Sequence, residues 1–368
     1  MKKRLSLVLV VLLIVGLTLT GCSNQGAANT KQEGTTTSDK VYEWTIQSAG
    51  QEGSTTHEQA VIIANRIKEA SGGRLDIKVL PIASVVAAPD AMDAVNQGTL
   101  DGYHGWLGYW NGQIPAISFF AGMPAGLTEL EYMTWMLRGG GDELLQELVA
   151  NSSWDNVRVF AAGAFTQEVL FHSKVPISNL KELQGKKVRG VGVWGEILAK
   201  LGASPVSMAG NEVFPAFERG VVDAIEWSNV SANWLSGFHE VGKYIVAPGI
   251  HQPSTPVAFV VNKERLNELP ADLQALVETV TTCQYGELWS YIAYEDSVAW
   301  QNFEALAKEG KIEILEFDKE DQKEVARVAQ EVYAEKAKQD PFFGKVLKSQ
   351  QDFLKIFKDW KSYFTTAF

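Results

Sequence analysis

Residues 185–244 read GKKVRGVGVWGEILAKLGASPVSMAGNEVFPAFERGVVDAIEWSNVSANWLSGFHEVGKY. A strand closes on Arg189 beside Gly190 and Gly192, which let a ligand approach the backbone. A helix, a short strand and a second helix follow. Gly220 then leads into a strand that closes on the carboxylate of Glu226 and the indole of Trp227. Alternation of this kind predicts an open α/β sheet, whose strand C-termini converge on one crevice where ligands bind. One cation, one carboxylate and one aromatic on a single rim suit the capture of a small anion better than they suit catalysis.

The same alternation runs outward in both directions. Upstream, VYEWTIQS, RLDIKVL, TLDGYHG, NVRVFAAG and EVLFHSK read as strands separated by helical periods. Downstream, PVAFVVN reads as a further strand. Residues 271–308 contain no proline and only Gly286, which predicts one helix of about 35 residues, long enough to cross two lobes. KIEILEF is a last strand, followed by helices over 318–337 and 341–364. The segments DAVNQGTLDGYHGW (93–106) and PAFERGVVDAIEW (215–227) echo one another, Gly98 and Asp101 matching Gly220 and Asp223. Two similar lobes facing each other across hinge strands are therefore expected, with mainly parallel sheets.

The N-terminus places the chain outside the cytoplasm. Lys2, Lys3 and Arg4 precede an apolar run from Leu5 to Thr20, too short to span a bilayer and ordered like a secretory signal. Leu19-Thr20-Gly21-Cys22 resembles a bacterial lipobox, which implies cleavage before Cys22 and lipidation of its thiol. Residues 23–40 hold almost no large apolar side chains and read as a tether. The formal charge of −11 becomes −14 once residues 1–21 and their three cations are removed, which argues against a nucleic-acid partner. With Cys22 lipidated only Cys283 remains, so no intrachain disulfide forms and the fold must rest on its core. The chain lacks the G-x-S-x-G and H-E-x-x-H motifs, and no cysteine is placed to pair with a histidine, so the secreted-hydrolase reading is the remote one. The five histidines share no metal-ligand spacing, though His104 and His251 fall near the expected cleft. The run Gly139-Gly140-Gly141 lacks the lysine of a phosphate loop and reads as a turn between helices.

An ordered series of segments resembles the solute-binding proteins of tripartite ATP-independent periplasmic (TRAP) transporters. It includes SGGRLDIKVLP (71–81), DAVNQGTLDG (93–102), GYWNGQIPA (108–116), MLRGGGDELLQE (136–147), ISNLKELQGKKVRG (177–190), LGASPVSM (201–208), GVVDAIEW (220–227) and GFHEVGKY (237–244). The branch it looks most like takes 2-keto and 2-hydroxy carboxylates. The resemblance implies a two-lobed, periplasmic-binding-protein-like fold. Lobe I comprises residues 41–165 and about 253–290; lobe II comprises 166–252 and about 291–335; a C-terminal helix covers 341–368. By position it implies that Arg189 forks the ligand carboxylate, a task for a planar guanidinium. Tyr109 places a hydroxyl near the ligand, Trp227 lies against it, and Gln167, Glu226 and Asn229 complete the ligand set. A Na⁺ or Ca²⁺ ion bridging ligand and protein would be held by Gln167, Glu226 and the Trp227 main-chain oxygen. Gln252, where the branch carries an acidic residue, joins this metal set and lowers its charge.

The partners implied are a small carboxylate and the small and large membrane subunits of a permease, with the membrane reached through the lipid anchor. The two-lobe logic is shared by binding proteins of ABC importers and of sensor kinases, which remain the alternative reading. In the last helix Phe353, Ile356, Phe357 and Trp360 line one face, which serves either a monomer packed on itself or a homodimer.

Overall fold

The computed structural model describes residues 40–364, apart from residue 209 and the side chain of residue 211. The expected signal segment, Cys22 and most of the tether lie outside the described residues. Among the described residues eleven strands form two sheets. They are β1 (Tyr42–Ser48), β2 (Leu75–Leu80), β3 (Gly102–Gly105), β4 (Val157–Phe165), β5 (Phe171–Ser173), β6 (Lys187–Arg189), β7 (Ser204–Val206), β8 (Ala224–Ile225), β9 (Tyr244–Ala247), β10 (Thr255–Asn262) and β11 (Glu313–Glu316). The first sheet has the order β2-β1-β3-β10-β4 and the second β11-β9-β5-β8-β6-β7.

Both sheets are mixed. β10 runs antiparallel to β3 and β4, and β5 antiparallel to β8 and β9, while the other pairings among the described residues are parallel. The antiparallel strands are the first elements laid down after the chain crosses from one sheet to the other. β11, which returns to the second sheet through the long helix instead of a short crossing, pairs parallel with β9. β10 lies between β3 and β4, and every residue of TPVAFVVN is buried, as a strand packed on both faces requires.

The sequence echo has a physical cause. In the first sheet Thr45 N–H donates to Asp101 Oδ2 at 2.6 Å and Asp101 N–H donates to the Thr45 carbonyl at 2.9 Å. In the second, Lys187 N–H donates to Asp223 Oδ2 at 2.8 Å and Asp223 N–H to the Lys187 carbonyl at 2.7 Å. Each aspartate thus clips the start of its own strand to the parallel neighbour. Gly98 and Gly220 precede them with φ of 75° and 73°, a left-handed turn that glycine enters without steric cost. One structural device serves both sheets.

The helix Ala271–Lys308 is a single element of 38 residues, about 57 Å long at 1.5 Å per residue. Leu273, Val277 and Leu288 pack into the core of the first sheet, and Phe303 packs with Ile245 and Ile312 of the second. The helix Pro341–Phe364 buries Phe343, Val346 and Gln350 against the first lobe, where Trp135 Nε1–H donates to Ser349 Oγ at 3.1 Å. Further along, Phe353 and Phe357 are half-buried, whereas Ile356 and Trp360 are exposed.

Candidate ligand site

β6 and β8 are parallel neighbours, and their register sets Arg189 beside Ile225, one residue before Glu226. Arg189 Nη1 donates to Glu226 Oε1 at 2.7 Å and to the Glu226 carbonyl at 3.1 Å. Both residues are buried, and the Arg189 guanidinium stands 5.7 Å from the Trp227 ring centroid, within cation–π range. Burial raises the Glu226 carboxyl above its ordinary range, while Arg189 and His251 pull it back down. The Nε–H of Arg189 is buried with no hydrogen-bond partner among the described residues. A buried donor left unpaired is costly, so this edge of the guanidinium is poised to take an acceptor.

The two crossing segments supply the rest of the site. Glu168 N–H donates to the Gln252 carbonyl at 3.1 Å, holding the segments together. Gly249 makes this approach possible, because a Cβ there would lie 2.1 Å from the Glu168 carbonyl oxygen. Glu168 Oε2 then meets His251 Nε2 at 3.1 Å, and Glu168 Oε1 accepts from Thr255 Oγ1 at 2.7 Å. His251 Nε2 is also 4.0 Å from Glu226 Oε2. The Trp194 ring packs 5.5 Å from the His251 ring, and its own Nε1–H is buried and unpartnered.

The remaining expected residues fall in different places. Tyr109 lies in the turn Leu107–Trp110, 45% exposed, with its ring edge-on to Trp106 at 5.2 Å. The recess around it raises its phenol pKa, and the nearby charge of Arg189 opposes that rise. Gln167 is exposed, and its backbone N–H donates to Glu129 Oε1 at 3.0 Å. Gln252 is half-buried and donates through Nε2 to the Ala121 carbonyl at 2.7 Å. Asn229 is fully buried, and its amide donates to Asp296 Oδ1 of the long helix at 2.7 Å and to Ser231 Oγ at 2.9 Å. His104 is buried near His57 and the start of the helix Thr55–Ala70.

The structure therefore joins Arg189, Glu226 and Trp227 with His251 and with Glu168, a residue absent from the expected set. Two carboxylates and an imidazole, all buried, place one donor atom each within 4.8 Å of one another. Oxygen-rich sets of this kind suit a hard cation. These three side chains fit the ion implied by the resemblance, and Glu226 is common to this group and to the expected set.

Two sheets joined by crossing strands and a shared helix, with a buried arginine where their strands end, define a solute-binding protein of the two-lobed class. Residues 46–340 match the model of the bacterial extracellular solute-binding proteins, family 7 (DctP), and the chain belongs to this family of TRAP transporter binding proteins, which bind solutes outside the cytoplasm and are not enzymes. A monocarboxylate 2-oxoacid-binding periplasmic protein of Nostoc sp. is 27% identical over 304 residues, spanning 82% of this chain and 81% of its own. A TRAP binding protein of Pseudoalteromonas atlantica, solved with sodium and pyruvate, superposes with a TM-score of 0.80 at 29% identity over 88% of this chain and 97% of its own. One from Colwellia psychrerythraea, solved with calcium and pyruvate, gives 0.81 at 28% identity with the same coverages.

Proposed function

We propose that this protein captures a small 2-oxo or 2-hydroxy monocarboxylate between its lobes and delivers it to the small and large membrane subunits of a TRAP permease. The observation that carries this reading is Arg189, buried at a strand end with an unpartnered Nε–H. A ligand carboxylate completes that donor edge and stands over the Trp227 face, and Tyr109, whose phenol feels the charge of Arg189, supplies a hydroxyl from the other lobe. The relatives solved with pyruvate support the substrate class. Glu226 already uses part of the charge of Arg189, so an incoming anion requires a cation beside it, in keeping with the sodium and calcium of those relatives. The lipobox-like Leu19-Thr20-Gly21-Cys22 supports anchoring of the mature chain through Cys22.

The test is a screen of 2-oxo and 2-hydroxy acids against ligand-stripped protein by thermal shift. A ligand at a hundredfold excess over its Kd stabilises the native state by about 2.7 kcal/mol, and pyruvate or a close analogue is expected to do so. No shift with any member of the panel would refute the reading.

A further inference from the structure

The turn after β3 of the first sheet is pinned at both ends. Trp106 Nε1–H donates to the Ala121 carbonyl and Trp110 Nε1–H to the Pro89 carbonyl, each at 2.7 Å. Asn111 N–H closes the turn on the Gly108 carbonyl at 3.3 Å. Trp110 is buried, whereas Tyr109 is exposed and Asn111 half-buried, so these two side chains are what the turn presents. The Tyr109 phenol feels the charge of Arg189, at the end of β6 in the second sheet. Two residues on, the Asn111 amide lies against Gly192, in the turn that follows Arg189. A Cβ at Gly192 would run into Nδ2 of that amide and stand 3.5 Å from its Cγ.

Glycine is required at 192 on two counts. Its φ of 57° is left-handed, where a Cβ is disfavoured, and the helix Gly192–Lys200 starts there. The approach of Asn111 from the other sheet leaves no room for a side chain. The Asn111–Gly192 contact and the Tyr109–Arg189 pair lie on the same two turns, so making the first brings the second together. Proteins that close around a ligand hold it by contacts made only in the closed state. We propose that the seating of Asn111 on Gly192 is such a closing contact: it positions Tyr109 at Arg189 and shuts the exit of the bound acid. Both are positioning residues, acting through Tyr109 and Arg189. Their contact involves no charge, so it acts on release more than on capture. The acid rests on the function proposed above; the closing contact does not.

The experiment uses the mature chain with Cys22→Ser and Cys283→Ser, so that Asn111→Cys and Gly192→Cys supply its only thiols. The sulfur at 111 takes the place of the amide carbon, 3.5 Å from the Cβ of residue 192, close to the span of a disulfide. Diamide is expected to form this cross-link with and without pyruvate. Protein oxidised after loading is expected to release pyruvate at least a hundredfold more slowly than the same protein reduced with dithiothreitol. In the parent sequence, Gly192→Ala is expected to raise the pyruvate Kd at least tenfold. Adding Asn111→Ala should then recover threefold or more, a rescue that backbone strain at 192 would not show. Gly310→Ala, at φ of 72° with open space around its Cβ, carries such strain alone and leaves the Kd unchanged. The inference is overturned if no cross-link forms under either condition, if the locked protein releases pyruvate as fast as the reduced one, or if Asn111→Ala does not rescue Gly192→Ala. A cross-link that forms while pyruvate binds under no condition would uphold the closing contact and refute the acid.

Discussion

Arg189 and Glu226 hold each other twice, through side chain and main chain, with Nη1 at 2.7 Å from Oε1 and 3.1 Å from the carbonyl oxygen. Under a tenth of either residue is exposed. Removing one member of a buried ion pair strands the other and costs about 3–5 kcal/mol. Glu226→Ala is therefore expected to lose about 3 kcal/mol of unfolding free energy in urea titrations. A loss below about 1 kcal/mol would show that water already screens the pair.

Asp296 ties the long helix to the first crossing segment and to the turn after Trp227. Its Oδ1 accepts from Asn229 Nδ2 and Ser231 N–H, each at 2.7 Å, and its Oδ2 from the hydroxyl of Thr166. Asp296→Ala strands these donors in a buried setting, and each unsatisfied group costs about 1–3 kcal/mol. The variant is expected to lose about 3 kcal/mol or more and to bind its acid more weakly, because Asn229 follows the Trp227 turn. Calorimetry of the folded fraction checks the second effect, and unchanged affinity would separate this tie from the site.

Acid should destabilise the protein through two histidines. Burial lowers the His104 imidazole to about 4 and His172 to about 3, against an unfolded value near 6.5. Between those values the unfolded chain binds more protons than the native one, so stability is full above pH 6.5 and falls as pH drops through the window. His172 sits between Phe238 and Phe303, with ring centroids at 5.6 and 5.9 Å. His172→Phe is expected to lose about 2 kcal/mol less than the parent between pH 7 and pH 4.5. Equal losses in urea titrations at the two pH values would mean that His172 is protonated in the native state.

Tyr109 is the residue from the first lobe assigned to the ligand. Tyr109→Phe keeps the ring against Trp106 and deletes the hydroxyl. Loss of a hydrogen bond to a charged group is worth about 1.5–3 kcal/mol, so the Kd for pyruvate is expected to rise by about tenfold or more with little change in stability. An unchanged Kd would remove Tyr109 from the site.

Strand ends and the two-sheet plan were legible because they depend on local pattern. Gly98 and Asp101 repeat as Gly220 and Asp223 since each pair builds the same turn and clip. Arg189, Glu226 and Trp227 were legible for the same reason, as ends of adjacent parallel strands. What linear order hid was pairing at a distance. Glu168 and His251 are 83 positions apart and meet only because two crossing segments run side by side. Gln167 and Glu168 are neighbours in a segment without regular structure, so no local periodicity tells which of the two is buried. Glu168 enters and Gln167 is exposed. Likewise Asn229 turns to Asp296, 67 positions away, a partner no local motif announces. The direction of β5 and β10 also required the crossing to be seen, which is why a mainly parallel pattern resolved into two mixed sheets.

Calorimetric titration of pyruvate into the ligand-stripped protein, repeated with Arg189→Ala and Arg189→Lys, tests the central claim most directly. One site with micromolar or tighter affinity is expected in the parent. Deleting one partner of a desolvated charge pair costs about 2–5 kcal/mol, so Ala should abolish measurable binding, and Lys, which keeps the charge but loses the fork, should weaken it at least tenfold. An Arg189→Ala protein that binds pyruvate within threefold of the parent would contradict the account.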